Sequence, residues 1–295
     1  MTNKLSARRA SVLMVVVSAI GFSFNGLIVR LVDTATPFQA VFYRSLGMSL
    51  GLFFVYACIY RRDAIRHVTS IGWVGFFGAA LLGASAVGMV FAMYNATVAN
   101  VVFVSSAIPF FTAGLAWLFL REKVPMTTLA FMAVAFGGVT VMVSGAISLG
   151  AGFGNVMALG SALLYGLFVV VIRGRQGTNM SAMVAVAGVW ICVTVSIVVG
   201  GELSISLYDF WLCMFWGVVI AAVGHSLFVL AARNLAGAEV TFLMLLEFVL
   251  APIWVWLIVD EVPAWSTLWG GALVMGALAA WTLFNARTRN TSARG

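Results

Sequence analysis

Four charged or ionisable side chains stand out because the residues around them are almost entirely apolar. Arg44, His225, Glu239 and Glu247 each lie inside a hydrophobic run of roughly the 20 residues needed to cross a bilayer. A charge at that depth costs about 2.5 to 3.5 kcal/mol on insertion scales, so each must be paired or face a wet cavity. Arg44 is the one cation well inside such a run. Its planar fork suits a substrate carboxylate held in bidentate fashion, and it equally suits an internal counter-ion. Glu247 could bind a proton or an organic cation, pair with Arg44, or cap a helix break. Glu239 precedes it by eight residues, about 12 Å along a helix and within about 80° of the same face. Its place near the inner end of its run predicts a solvated cavity mouth. His225 could relay protons or donate to a substrate, and the plainer reading is hydrogen-bonded packing. Asn25 and Asn100 either reach a central cavity or join helices. Tyr94, Phe103, Trp117 and Trp190 are candidate cavity aromatics, although rings in such chains also serve as interfacial anchors. The expected substrate-binding set is therefore Glu247, Arg44, His225, Asn25, Asn100, Tyr94, Trp190 and Phe103.

This chemistry is recognition rather than catalysis. The sequence contains no P-loop, G-x-S-x-G elbow, H-E-x-x-H or Gly-rich dinucleotide turn, and without an ATP site a driving force must come from a gradient. His225 with a nearby carboxylate is the only enzyme-like pair, and it lacks a nucleophile or ligand set at recognisable spacing. Cys58, Cys192 and Cys213 sit in apolar runs with no C-x-x-C spacing, which suggests neither a disulfide framework nor a metal site. No cofactor is expected.

The elements that must position these residues follow from composition. The 295 residues are 63% hydrophobic and 8% charged, against about 25% charged in a soluble domain. Lipid is the solvent that accommodates such a chain, and helices are the spanning structures available to it. Spans are predicted near 11–31, 38–59, 73–93, 97–120, 127–146, 155–172, 183–200, 210–232, 238–259 and 266–285, ten in all, with short breaks near Asn95 to Thr97 and Asn234 to Gly237. The first run follows Lys4, Arg8 and Arg9 and is too long for a signal-peptide core, so it is expected to be a retained span. With both termini inside, fourteen of the sixteen basic residues fall on the inner side. Only Arg30 falls outside, and Arg44 lies within span two. That bias sets the orientation and an even span count. It also gives the net charge of +7 a use other than nucleic-acid binding, for which no basic run interleaved with aromatics is present. Asp33, Glu202, Asp209, Asp260 and Glu261 gather on the opposite side.

The chain also resembles itself. A shift of 139 residues superposes Ala92, Asn95, Ala99, Val101, Phe103, Trp117, Leu118 and Glu122 on Ala231, Asn234, Ala238, Val240, Phe242, Trp256, Leu257 and Glu261. Thr128, Leu129, Ala133 and Gly137 likewise match Thr267, Leu268, Ala272 and Gly276. A shift of 143 brings Ser18, Ala19 and Arg30 onto Ser161, Ala162 and Arg173. Spans one to five (1–146) thus correspond to spans six to ten (147–295). Because five is odd, the halves are inverted in the membrane, an architecture in which rocking one half on the other exposes a midplane site alternately to each side. Gly47 and Gly51, with Ser45 and Ser49 beside them, read as a close helix-packing face.

At these residues the sequence resembles a known family. Ser106-Ala107-Ile108-Pro109, followed by Ala116-Trp117-Leu118-Phe119-Leu120-Arg121-Glu122, is similar to the fourth span of EamA-type proteins in the drug/metabolite transporter superfamily. The echo runs from Leu246-Glu247 through Trp256 to Glu261. There the family usually reads Leu-Glu-Pro, whereas this chain has Phe248 after Glu247 and a proline four residues later, at Pro252. Arg44, Gly137 and Gly276 also fit the pattern. The resemblance covers essentially the whole chain. It implies an all-α, ten-helix transporter of two inverted repeats, often an exporter of amino acids or other metabolites in bacterial inner membranes. The resulting expectation is a secondary transporter for an amino acid, amine or related polar solute, with both termini cytoplasmic. Its expected partners are a small-molecule substrate and the lipid bilayer, with protons and a second copy of the chain as further candidates. The alternative is a membrane receptor or assembly subunit that binds without transporting.

Overall fold

The computed structural model describes residues 2–96, 98–144, 152–175, 182–259 and 265–292. Among them are helices and turns, with no strand. This is the outcome that lipid imposes, since a helix satisfies its own backbone. Among the described residues, nine helical stretches are long and apolar enough to cross a membrane. Span one comprises Thr2–Ser23 and Asn25–Leu31, span two Pro37–Tyr60, span three Gly72–Asn95, and span four Val98–Ser105 and Ile108–Leu120. Spans six and seven are Gly152–Gly174 and Ala182–Val199. Span eight runs through Leu207–Phe215, a π-helical stretch Trp216–Ala222, and Val223–Ala231. Span nine is Gly237–Leu243 and Leu246–Val259, and span ten is Trp265–Ser292. Span five, Met126–Val143, is the shorter apolar helix. Residues 145–151, beyond its end, lie outside the described residues, and so does the proposed junction of the two halves.

Polar contacts sort the helix ends onto two faces. On one, Arg8 at the start of span one pairs with Glu239 at the start of span nine. On the same face Arg173, ending span six, meets Glu122, just past span four, and the Ala232 carbonyl at the end of span eight. On the other, Asp209 at the start of span eight accepts hydrogen bonds from the backbone of Asp33, Thr34 and Ala35, which follow span one. Gln39 and Tyr43 at the start of span two donate to carbonyls of Glu202, Leu203 and Ser204. Starts of odd spans and ends of even spans share a face, as alternating up-and-down helices require.

The packing repeats under exchange of each span with the one five later. Span three lies on span six as span one lies on span eight, and span two meets span eight as span seven meets span three. Spans four and six pair as do nine and one. The self-related contacts are two with seven, four with nine, and five with ten. Hydrogen bonds repeat too. Ser18 Oγ donates to the Gly224 carbonyl at 2.8 Å, and Ser161 Oγ to the Ser85 carbonyl at 2.7 Å. Ser18 and Ser161 are related by the 143-residue shift, and Ser85 and Gly224 by the 139-residue shift.

Spans two and eight approach most closely where side chains vanish. A Cβ at Gly217 would stand 2.0 Å from the Arg44 carbonyl oxygen, and one at Gly47 would stand 2.8 Å from that of Met214. Gly51 meets Val218 in the same crossing. Ser49 donates to the Ala185 carbonyl of span seven. The small-residue face expected around Gly47 and Gly51 is thus a helix–helix contact, where backbone proximity replaces the missing hydrophobic drive.

Candidate functional site

Spans four and nine are both interrupted near mid-length. Span four breaks at residues 106–107, where Ser106 Oγ turns back to the Phe103 carbonyl and Pro109 opens the next helix. Span nine breaks at 244–245, within one residue of the equivalent position under the 139-residue shift. The break therefore occurs without a proline beside Glu247, and Pro252 lies inside the following helix. Fresh helix N-termini result, one beginning Ile108-Pro109 and the other Leu246-Glu247. Glu247 occupies a first turn, where the exposed N–H groups favour a carboxylate. Span one is also interrupted, at Phe24, and its second segment opens with Asn25.

These interruptions border one cavity of about 170 Å³. It is lined by residues from spans one, two, three, four, six, eight and nine, so both halves contribute. Asn25, Arg44, His225 and Glu247 all face it, which brings four of the eight expected residues together. Its remaining wall is mostly apolar and includes Phe22, Met89, Tyr165, Met244 and Phe248.

One group of polar contacts gathers around Trp216. The Arg44 guanidinium carbon lies 5.0 Å from the centre of the Trp216 ring, a cation–π arrangement. The Trp216 indole N–H donates to Asn25 Oδ1 at 2.6 Å. The π-helical stretch explains why Trp216 and His225 both face the cavity. Nine residues apart in an uninterrupted α-helix, they would point about 180° from each other. One inserted residue reduces that to about 80°. His225 Nδ1 lies 2.9 Å from the Ala221 carbonyl, and its ring packs 4.6 Å from Phe22. That contact assigns the proton to Nδ1 and leaves Nε2 as the uncommitted nitrogen.

No ion pair joins Arg44 to Glu247 among the described residues. The structural pair that the sequence allows is not formed here. Glu239 needs a correction. It is 9% exposed, clamped by both terminal nitrogens of Arg8 at 3.0 Å, and accepts from the Ala236 backbone N–H. It caps its helix in a buried fork instead of facing a solvated mouth. Sequence spacing located the helix start but could not show that Arg8 would reach it.

Three other expected residues stand apart from the cavity. Tyr94 and Trp190 are 41% and 49% exposed, and neither lines it. Both rings are partly exposed and are not part of its wall. Phe103 packs against Phe136 of span five. The backbone of Asn100 is helical, but its side chain lies outside the described residues. Tyr165, Trp216, Ser85 and Ser161 line the cavity and were not singled out. The internal repeat carried a signal for two of them: Ser161 was already matched to Ser18, and the same shift pairs Tyr165 with Phe22.

The assembled groups are a guanidinium, a carboxylate, an imidazole, an amide and aromatic faces, set in an apolar wall. They can orient a small solute with polar ends and an apolar body. No group of three or more potential metal ligands occurs among the described residues. Residues 9–144 match the family model described as the EamA-like transporter family. No curated protein matches in sequence. One solved crystal structure superposes with a TM-score of 0.78 at 15% identity, covering 94% of this chain and 98% of the other, and that likeness concerns the fold. Residues 9–144 of this multi-pass membrane protein thus match the EamA-like transporter family, part of the drug/metabolite transporter superfamily.

Proposed function

We propose that the protein is a secondary transporter that carries a small organic metabolite, such as an amino acid, amine or related polar solute, by alternating access through this cavity. In this reading the halves are residues 1–146 and 147–295, and the direction of use is export across a bacterial inner membrane with both termini cytoplasmic. Glu247, Arg44, His225 and Asn25 form the binding set. Protons are the candidate coupling ion, and a dimer is the candidate assembly. The observation that supports it is that a single cavity is lined by both halves, at the breaks of spans four and nine. On each face, polar contacts tie one half to the other: Arg8 to Glu239 on the first, and Asp209 to residues 33–35 on the second. Releasing one set while keeping the other would open the cavity to one side at a time.

Counterflow in liposomes containing the purified protein tests this. Preloaded amino acids or amines are expected to drive saturable uptake of labelled solute, and Glu247→Gln or Arg44→Gln to reduce it. Uptake no faster than into protein-free liposomes, for every solute tried, would leave the carrier reading without support. Labelling of cysteines introduced beside Arg8 and Asp33 from either side of intact cells tests the orientation.

A further inference from the structure

Arg44 is 7% exposed and lines the cavity, yet its Nε is buried with no hydrogen-bond partner. Among the described residues no carboxylate pairs with its guanidinium, and Glu247, which shares the cavity, forms no ion pair with it. Nevertheless its position is tightly fixed. Its carbonyl lies against Gly217, its guanidinium lies over the Trp216 ring, and Trp216 is itself tied to Asn25. A ring attracts the charge of a guanidinium without accepting its N–H hydrogens in plane, so those donors still call for an oxygen acceptor. A buried guanidinium without an acceptor is costly, because its lost hydration is not replaced. The arrangement is a buried guanidinium for which no described residue supplies a carboxylate.

We propose that Arg44 is the oxyanion anchor of the cavity. The transported solute then carries a carboxylate, or another planar oxyanion, that accepts the Arg44 fork, while Trp216 is a positioning residue. This assignment rests on the cavity being the transport site, and the test separates the two ideas. Liposomes containing the protein are exposed to matched triples: amino acids, their carboxamides and the corresponding decarboxylated amines. The accumulated solutes are identified by mass spectrometry.

The acid of a triple is expected to be carried, with its amide and amine about 10- to 100-fold weaker, the range of a charge-assisted fork. Arg44→Lys, which keeps the charge but not the fork, is expected to raise KM for the acid about tenfold at an unchanged melting temperature without solute. This variant carries the test if Arg44→Gln does not fold. Trp216→Phe keeps an aromatic face but loses the N–H to Asn25. It is expected to raise KM for the acid and not for the amide, and to be non-additive with Arg44→Lys. Amides or amines carried as well as acids, or wild-type handling of acids by Arg44→Lys, would overturn the anchor and leave the transporter standing. If no member of any triple is carried, both fall.

Discussion

The two halves of this protein share a scaffold and differ in what they present to the cavity. Under the repeat shifts, Ser18 to Gly224 and Ser161 to Ser85 are the same hydrogen bond made twice. The groups facing the cavity are not duplicated. Glu247 corresponds to Ile108, His225 to Ala86, Tyr165 to Phe22, and Asn25 to Phe168. An inverted carrier gains from matched halves, because inward- and outward-open forms built from the same contacts have similar energies. On the proposed function a small polar solute has no such symmetry, which accounts for cavity groups that differ between the halves while the frame is kept. The sharpest structural difference has the same logic. The π-helical stretch in span eight has no counterpart in span three, and Trp216 is 2% exposed where its equivalent, Phe77, is 48% exposed.

The largest expected effect tests the frame at the paired glycines Gly217 and Gly78, related by the 139-residue shift. A Cβ at Gly217 meets backbone: the Arg44 carbonyl oxygen at 2.0 Å and the Met48 nitrogen at 2.7 Å. At Gly78 it meets the ends of Met183 and Val171 side chains at 2.4 and 2.9 Å. Methionine can turn aside, whereas two helix backbones must separate. Gly217→Ala is expected to cost about 3 kcal/mol and Gly78→Ala about 1 kcal/mol, the two ends of the overpacking range. Melting temperatures in one detergent measure both. Equal losses would mean that the halves are held together in the same way at these crossings.

Next in size is a change that makes the cavity more alike from its two sides. Glu247→Ile installs the residue found at the equivalent half-helix start, Ile108. Removing a membrane-depth carboxylate that has no ion pair among the described residues is expected to leave stability within about 1 kcal/mol. Transport of amine-bearing solutes is expected to fall more than about tenfold, the loss of one charge-assisted contact. Unchanged flux in counterflow would remove Glu247 from the binding set and transfer the asymmetry to His225 and Arg44.

Much of the frame was readable in the sequence, and less of the site. Long apolar runs, basic residues on alternate loops and the internal repeat each follow from the chain's contact with lipid, and they led to the spans. The broken helix before Glu247 was obscured by the absent proline, because a break can be made by turn geometry at 244–245 alone. Arg44, Glu247, His225 and Asn25 could be identified because polarity at that depth demands a reason. Tyr165 and Trp216 could not. In helices that are apolar on every side no pattern of residue type distinguishes the lipid face from the cavity face. The π-helical register shift that brings Trp216 inward leaves no mark in composition. Tyr94 and Trp190 were chosen for residue type under the same ambiguity, and neither lines the cavity.

A smaller effect is expected at the end contacts. Arg8 and Glu239 are joined by a fork with side-chain exposures of 18% and 11%, and the repeat places Asn100 where Glu239 would have its counterpart. Glu239→Gln is expected to weaken that face by about 1 kcal/mol, the size of a partly buried charge pair. A cysteine introduced at Ile108, with Cys58, Cys192 and Cys213 replaced, should then be labelled several-fold faster from the Arg8 side. Exchanging the charges, Arg8→Glu with Glu239→Arg, should restore the slower rate. Labelling that is unaltered by either change would show that this pair plays no part in closing the face.

The smallest effect comes closest to separating frame from site. Ser18 and Ser161 make equivalent hydrogen bonds, and interhelical bonds of this kind average about 0.6 kcal/mol in membrane proteins. Ser18→Ala is therefore expected to lower stability by about that small amount, and Ser161→Ala by somewhat more, since Ser161 Oγ also meets Ser85 Oγ at 3.1 Å. They differ in what lies beyond the bond: Ser161 lines the cavity and Ser18 does not. Only Ser161→Ala should change the KM for a carried solute, because it alone alters a wall the solute touches. Small stability losses in both with unequal KM values would show one kind of hydrogen bond serving the frame in both halves and the substrate in only one. Equal KM values would confine Ser161 to packing and narrow the working part of the cavity to the side held by Arg44, Trp216 and Asn25.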